Sequence, residues 1–172
     1  PVLVDIDKDT LLMSVENLKK KINKKTRAIL PVHVSGRGSN IKEIAKVAKK
    51  NKLFIVEDAA EAFMSSINKK YLGTFGEVGC FSFAPNKILT TGQGGAIVTN
   101  VKSLYVKLKQ LKDQGRIGFT TGGEDNYQSI GYNFKFTNLQ ASLGLAQLET
   151  IKLRVKTLKS HHLFYKKNIK KN

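Results

Sequence analysis

The sequence has a single cysteine, no long apolar run and few acidic residues. One thiol, Cys80, excludes a disulfide framework and suits a reducing compartment. Its place inside a strand-like run favours a small buried side chain over a reactive thiol. No run approaches the ~20 apolar residues that a membrane-spanning helix needs, and no signal peptide is recognisable. We therefore expect a cytoplasmic protein without a membrane partner.

The motifs of several common ligand sites are missing as well. The chain has no Walker loop, no G-x-G-x-x-G fingerprint, no CxxC pair and no histidine cluster with metal-ligand spacing. We therefore expect no metal ion in the protein.

The chain has thirteen aspartates and glutamates and thirty lysines and arginines, which gives a net charge of +17. A pI near 10.0 is often the footprint of a nucleic-acid binder. The lysines lie mostly in helical runs interleaved with apolar residues, a pattern typical of solvated helix faces. No aromatic-rich basic platform accompanies them, so nucleic acid is disfavoured as a partner. A non-catalytic basic interaction module stays open as an alternative, with its densest charge over residues 151–172.

Strand-like and helix-like segments alternate along the chain with short connections. This order predicts parallel strand pairs joined by right-handed crossovers, and ligands of such sheets bind at the edge where the parallel strands end. The predicted strands are residues 1–6, 27–34, 53–56, 78–83 and 96–98. The predicted helices begin at Ser14, at Ser39 or Asn40, at Ser103 and at Thr137 or Asn138.

The last predicted helix is long and carries apolar residues at helical spacing. A polar, glycine-rich loop over residues 114–129 precedes it, and a loop of this length is usually functional or disordered. We expect the following residues of the helix to face the core: Leu139, Leu143, Ala146, Leu148, Ile151, Val155 and Leu158.

Three candidate site residues come from positions where strand-like runs end. His33 and Asp58 follow two neighbouring predicted strands, so the topology places them side by side. For His33, a hydrogen bond within the core and a role at a ligand site both stay open. For Asp58 the alternatives are a ligand contact and the cap of a helix that starts at Ala59. Lys87 lies just before the glycine-rich turn of residues 92–95, where backbone and ligand can approach closely.

Three sequence blocks follow one another in a specific order. They are Val56-Glu57-Asp58-Ala59-Ala60-Glu61-Ala62, then Gly73-Thr74-Phe75-Gly76 through Phe81-Ser82-Phe83, then Asn86-Lys87 followed by Thr91-Gly92-Gln93-Gly94-Gly95. Further matches lie at Pro31-Val32-His33 and from Gly131-Tyr132-Asn133 to Leu148-Glu149. Each block alone is weak, but the ordered set is specific and covers most of the chain except the basic tail. It resembles the sugar aminotransferases of the DegT/DnrJ/EryC1/StrS family, which are fold-type-I enzymes that use pyridoxal phosphate.

The resemblance implies an α/β fold with a mixed, mostly parallel sheet flanked by helices, which is the large domain of the fold-type-I pyridoxal-phosphate transferases. Complete chains of the family are longer, and this one begins abruptly at a proline, so we expect an incomplete domain with little activity by itself. On this interpretation residues 1–150 form most of the cofactor-binding large domain. Residues 151–172 form a basic helical segment that leads to a small C-terminal domain absent from the sequence.

The resemblance also assigns roles to individual residues. Pyridoxal 5′-phosphate is the implied cofactor, and Lys87 is the implied catalytic amine that holds it and moves protons. Asp58 is matched to the residue that pairs with the pyridine nitrogen, and Ser82 to a residue that contacts the phosphate. Glu61, one helical turn after Asp58, is matched to a position against the cofactor ring or its hydroxyl.

Two further residues complete the implied site. Asn133 of the partner subunit is matched to a residue that reaches the phosphate, so we expect a homodimer with a shared active site. His33 is kept as a further candidate for cofactor binding.

The implied reaction moves an amino group from an amino acid, most simply L-glutamate, to a keto sugar linked to a nucleotide diphosphate, in cell-surface polysaccharide or glycan biosynthesis. A basic chain favours the approach of such an anionic substrate. Some relatives are nucleotide-sugar dehydratases that use the same cofactor and carry histidine at the position of Lys87. The lysine therefore favours amino transfer over the dehydratase alternative.

Overall fold

The helices and longer strands fall in the order that the sequence predicts. The computed structural model describes residues 1–117 and 126–169, so part of the loop predicted over residues 114–129 lies outside the described residues. Its helices are α1 (Val15–Lys21), α2 (Ile41–Asn51), α3 (Lys102–Lys112), α4 (Asn138–Glu149) and α5 (Ile151–Asn168). Its strands are β1 (Ala28–Ile29), β2 (Phe54–Asp58), β3 (Ser66–Ile67), β4 (Lys70–Tyr71), β5 (Val78–Ser82) and β6 (Gly95–Val98).

Four strands form the main sheet in the order β1-β2-β5-β6. Strands β1 and β5 run parallel to β2, whereas β6 runs antiparallel to β5. Strands β3 and β4 form a separate antiparallel hairpin. The expected mixed, mostly parallel sheet flanked by helices is therefore confirmed, and the carboxyl ends of β2 and β5 lie at one edge of it.

Helix α2 is the crossover between β1 and β2, and its apolar face supplies much of the core. The helix ends at Lys52, whose left-handed backbone (φ 54°) lets its N–H reach the carbonyls of Ala48 and Lys49. This turn leads the chain directly into β2. The buried core cluster consists of Leu18, Ile29, Ile41, Ile44, Val47, Ala48, Ile55, Ala59, Ala62 and Leu72.

The strand predicted for residues 1–6 is not formed. Within the described chain this segment makes a single bridge, from Ile6 to Met13, and its side chains Val2 and Leu3 are exposed. A strand needs a partner that takes its backbone hydrogen bonds, and no described strand lies beside these residues. The strand predicted for residues 27–34 is likewise shortened to the two residues of β1, followed by an isolated bridge.

The long C-terminal helix forms, in two pieces that meet at Thr150, and of its predicted inward face Ile151 is buried whereas the leucines are exposed. Leu139 is 82% exposed and Leu158 is 53% exposed, and Leu143 and Leu148 are exposed as well. In the described part of α4 and α5, the fully buried positions are Gly144 and Ile151. The apolar spacing marked a helix correctly, but it did not mark which face meets the rest of this chain. None of the described helices has the length and hydropathy needed to cross a membrane.

Candidate active site

Asp58 and Ser82 project from the ends of adjacent strands on the same face of the sheet. In the parallel register of β2 and β5, Asp58 lies beside Cys80, and Ser82 is two residues further along β5. Because strand side chains alternate between faces, these three residues share one face. The pKa of the Cys80 thiol agrees with this placement beside Asp58. Burial raises that pKa most, and the nearby charge of Asp58 raises it further. Cys80 therefore stays a protonated, half-buried side chain between two candidate ligand groups.

Lys87 follows β5 in a tight turn, with its backbone N–H donating to the carbonyl of Ala84 at 3.0 Å. Its side chain is 17% exposed, and Nζ lies 3.7 Å from Oε1 of Glu61. The amine thus points toward the protein and a carboxylate rather than into bulk solvent. This placement agrees with an amine held at the sheet edge.

Glu61 is itself held in place by the backbone of a neighbouring turn. Its Oε2 accepts a hydrogen bond of 2.8 Å from the N–H of Ser35, a residue with a left-handed backbone (φ 50°). The Ser35 N–H first, and then the charge of Lys87, lower the pKa of the Glu61 carboxyl. Glu61 is therefore an ionised group with one oxygen toward the turn and the other toward the lysine.

No helix starts after Asp58, which corrects the geometry expected for Glu61. The residues that follow Asp58 form successive turns, with Ala62 N–H donating to Ala59 and Ser65 N–H donating to Ala62. Asp58 Oδ1 accepts the N–H of Ala60 at 3.0 Å and so closes the first turn. Glu61 reaches Lys87 through these turns rather than along a helix face.

His33 lies beside Asp58 as the topology predicts, but its ring faces the interior. The backbone N–H of His33 donates to the Asp58 carbonyl at 2.9 Å, while the side chain is fully buried. Nδ1 accepts the N–H of Ser39 at 3.1 Å, and Nε2 lies 3.0 Å from Oε2 of Glu57. A nitrogen that accepts an amide proton carries none of its own, so we assign the neutral ring with its proton on Nε2. Both nitrogens are used within the core, and we leave His33 out of the proposed cofactor site.

Glu57 is the residue at this edge that the sequence analysis missed. It is fully buried, and besides His33 it accepts backbone N–H groups from Gly73 at 2.8 Å, Phe75 at 2.6 Å and Gly76 at 2.7 Å. A signal was present, because Glu57 lies two residues after the core residue Ile55 and so shares its inward face. An acid at an inward position of a strand predicts a satisfied buried carboxylate.

Four hydrogen bonds outweigh the burial of this carboxylate. Burial alone raises the pKa of Glu57, but the bonds from His33 and the backbone N–H groups of Gly76, Gly73 and Phe75 lower it below the ordinary value. The folded state therefore prefers ionised Glu57, and this preference stabilises the fold at pH values above the ordinary carboxyl pKa. The stabilisation is lost as the pH falls through the lowered pKa of the folded state.

This linkage predicts a pH dependence that belongs to one residue. The difference in free energy of unfolding between the native chain and Glu57→Gln should be constant near neutral pH and shrink as the pH falls below the ordinary glutamic-acid pKa. Urea unfolding from pH 7 to pH 3, followed by circular dichroism, measures that difference. A difference that grows toward acid pH would contradict the assigned charge state.

Asn133 stands apart from the other candidate residues in this chain. It is exposed, forms an isolated bridge with Asp113, and has no hydrogen bond to Asp58 or Lys87 in the described residues. It lines a cavity of about 890 Å³ that β6, α3 and the segment 133–136 enclose. The expected role of Asn133 in the site of a partner subunit stays a prediction.

A model of one sequence family matches residues 1–172, the whole of this chain, and its description is the DegT/DnrJ/EryC1/StrS aminotransferase family. The chain belongs to this family. A GDP-perosamine synthase of Escherichia coli O157:H7 is 43% identical over 169 residues, which are 98% of this chain and 46% of that protein.

Solved structures agree with this family assignment. Helicobacter pylori PseC, an aminotransferase involved in pseudaminic acid biosynthesis, matches with a TM-score of 0.84 and 33% identity, over 89% of this chain and 41% of that one. A GDP-4-keto-6-deoxymannose-3-dehydratase with bound GDP-perosamine matches with a TM-score of 0.77 and 29% identity, over 87% and 42%. The fold is that of the fold-type-I aminotransferases. The chain spans less than half the length of each of these relatives.

Proposed function

We propose that the protein transfers an amino group from an amino acid, L-glutamate in the simplest case, to a keto sugar linked to a nucleotide diphosphate, with pyridoxal 5′-phosphate as its cofactor. The observation that carries the proposal is the Lys87 amine, mostly buried and 3.7 Å from Glu61, at the sheet edge where Asp58 and Ser82 project. The named relatives support the substrate class, since one is a GDP-perosamine synthase and another an aminotransferase of pseudaminic acid biosynthesis. We place the reaction in polysaccharide or glycan biosynthesis in the cytoplasm.

The donor set fits this cofactor. Oδ1 of Asp58 is used by Ala60, whereas Oδ2 has no hydrogen-bond partner in the part of the chain that the structure describes. Ser82 Oγ accepts the N–H of Ala84 at 3.3 Å, which leaves the hydroxyl proton for donation to an anion. An anion for a ring N–H, a hydroxyl donor for a phosphate and an amine for an aldehyde are what pyridoxal phosphate requires. No group of metal-binding side chains occurs in the described residues.

Each side chain then has a definite task. When bound, pyridoxal phosphate supplies an electron sink for the substrate carbon that loses a proton. Lys87 would hold the aldehyde carbon of the cofactor through Nζ, and the same amine would carry a proton as general base and acid. Asp58 would keep the pyridine nitrogen protonated, and Ser82 would donate to the phosphate. Glu61 balances the charge of the Lys87 ammonium whenever the proton is there.

The site is completed by a second subunit in this proposal. Asn133 is exposed and has no hydrogen bond to the other site residues in the described part of this chain, so in this proposal it serves the neighbouring site as Asn133 of the partner subunit. We propose a homodimer on this ground. The net charge of +17 favours the approach of the anionic nucleotide diphosphate.

The dehydratase alternative is supported by the similarity to the GDP-4-keto-6-deoxymannose-3-dehydratase. Both activities use the same fold and cofactor, so the fold does not separate them. Lys87 favours amino transfer, because the resemblance implies a histidine at this position in the dehydratases. Amino transfer is therefore the function that the residues support better.

Isotope transfer tests the proposal directly. The full-length protein is incubated with pyridoxal phosphate, a GDP-linked 4-keto-6-deoxy sugar and L-glutamate labelled with ¹⁵N, and the products are analysed by mass spectrometry. Amino transfer yields an amino sugar that carries ¹⁵N and an equal amount of 2-oxoglutarate. A product that has lost a hydroxyl group and carries no ¹⁵N would support dehydration, and an unchanged sugar would contradict both activities.

A further inference from the structure

The segment that follows Lys87 lies along one face of helix α4. The N–H of Thr90 donates to Oε1 of Gln147 at 3.0 Å, across 57 positions of sequence. Nearer the start of the helix, Nε2 of Gln140 donates to the carbonyl of Gln93 at 3.3 Å. Two glutamine side chains of α4 therefore bond the backbone of the turn directly.

Between these two bonds the helix and the turn are in close contact. A Cβ atom placed on Gly144 would lie 3.0 Å from Cγ2 of Thr91, so glycine permits the approach. Beyond Gln147, Nη1 of Arg154 makes a long contact of 3.5 Å with the carbonyl of Ile88. The segment of residues 88–93, which we call the turn, therefore contacts α4 and the start of α5 at both of its ends and in its middle.

The residues that make these contacts are spaced as one face of a helix. Steps of four and three residues return to the same side at every turn. Residue 93 contacts the start of α4 and residue 88 contacts α5, so the turn and the helices run antiparallel. The residues of this face that contact the turn are Gln140, Gly144, Gln147 and Arg154.

The other side of the turn is bonded to the end of β5. The N–H of Thr91 and the hydroxyl of Thr90 both donate to the carbonyl of Phe83 at 3.0 Å. Leu89 is 2% exposed and Thr91 is 5% exposed, so these two side chains are buried between strand and helix. Lys87 lies inside the loop that these bonds close, and its backbone has little freedom to move.

We propose that Gln147 is a positioning residue for Lys87: by accepting the Thr90 N–H it holds the turn in the one register that keeps the Lys87 amine beside Glu61. The inference rests on the proposed function, because it assigns Gln147 to the machinery that presents the catalytic amine. Gln147 touches neither cofactor nor substrate. It acts through the backbone three residues after the lysine.

Two substitutions at position 147 separate the hydrogen bond from the shape of the side chain. Gln147→Met keeps a long unbranched side chain but leaves the Thr90 N–H without an acceptor. Gln147→Glu restores an acceptor oxygen at the same reach. Ser142→Met is the matched control, because Ser142 lies on the opposite, exposed side of α4.

The readout is the selectivity of covalent labelling, which needs no turnover. The full chain is incubated with a limiting amount of pyridoxal phosphate, treated with borohydride and digested, and labelled peptides are quantified by mass spectrometry. The many exposed lysines of the chain are the internal reference. We expect labelling of Lys87 relative to this reference to fall about five- to tenfold in Gln147→Met, which corresponds to the loss of one hydrogen bond, and to recover in Gln147→Glu.

The outcomes separate this inference from the proposed function. If native Lys87 is labelled no more than exposed lysines, the proposed function fails. If native Lys87 is preferred and Gln147→Met keeps that preference, or Gln147→Glu loses it equally, the positioning role is overturned. If Gln147→Met does not fold, Gln147→Ala provides the second test, because it also removes the acceptor of the Thr90 N–H. An unchanged preference in folded Gln147→Ala would overturn the inference as well.

Discussion

Replacement of Lys87 by arginine is expected to lower amino transfer by about a thousandfold or more, with substrate binding largely retained. Arginine keeps the positive charge that faces Glu61, so the local electrostatics change little. It stays protonated at every accessible pH and its guanidinium does not take the place of an amine toward an aldehyde. The measurement is kcat in the ¹⁵N-transfer assay, together with the loss of the borohydride-fixed label from residue 87.

The control for this variant is a lysine in an exposed ion pair. Lys46 lies 2.6 Å from Glu43 on the solvent side of α2, and its side chain is 74% exposed. Lys46→Arg should leave both kcat and the label on Lys87 unchanged. If Lys87→Arg retained a tenth of the native rate, the catalytic assignment of Lys87 would be wrong.

Replacement of Glu57 by glutamine is expected to destabilise the fold by about 2–5 kcal/mol, because buried N–H donors would lose the carboxylate oxygen that accepts them. An amide has one acceptor oxygen and one NH₂ group. The NH₂ group would face either the N–H of Gly73 and the ring of His33, or the N–H groups of Phe75 and Gly76. The His33 ring cannot accept a hydrogen bond from the new NH₂ group, because its other nitrogen already accepts a backbone N–H and the ring proton therefore stays on Nε2.

Chemical denaturation measures this loss as a lower urea midpoint with an unchanged slope. Glu43→Gln is the matched control, because in the described residues that carboxylate is hydrogen-bonded to the exposed Lys46 side chain, and its replacement should shift the midpoint very little. A Glu57→Gln variant as stable as the control would show that the buried network has no role in stability. In the Glu57→Gln variant the structure near Asp58 should also become less rigid, because the network links β2 to the turn before β5.

Most of the fold could be predicted from local patterns. The crossover helix α2 follows from apolar residues at helical spacing between two apolar runs, and β2 and β5 follow from short apolar runs bounded by polar residues and glycine. The strand predicted at residues 1–6 failed because a strand depends on a partner outside its own sequence. The leucines of α4 failed for a related reason, since an apolar face is buried only where another element covers it.

Some residues of the candidate site could also be named from the sequence, whereas others could not. Lys87, Asp58, Glu61 and Ser82 were named from ordered motifs, and their placement at one sheet edge agrees with that prediction, while their roles remain proposals. His33 stayed undecided in the sequence because a histidine at a strand end serves a core or a ligand equally well. Its two internal hydrogen bonds favour the role in the core.

By itself the sequence determined the order of the helices and longer strands, the membership of a family and the short motif that contains Lys87, because each of these depends on residues that are close together in the sequence. Only the tertiary structure decided that Glu57 is buried against His33, 24 positions away, and that Gln147 holds the turn after Lys87. Such contacts join residues that no local period relates. They exist because the packed sheet and helix bring distant backbone donors within reach of acceptors that have lost their contact with water.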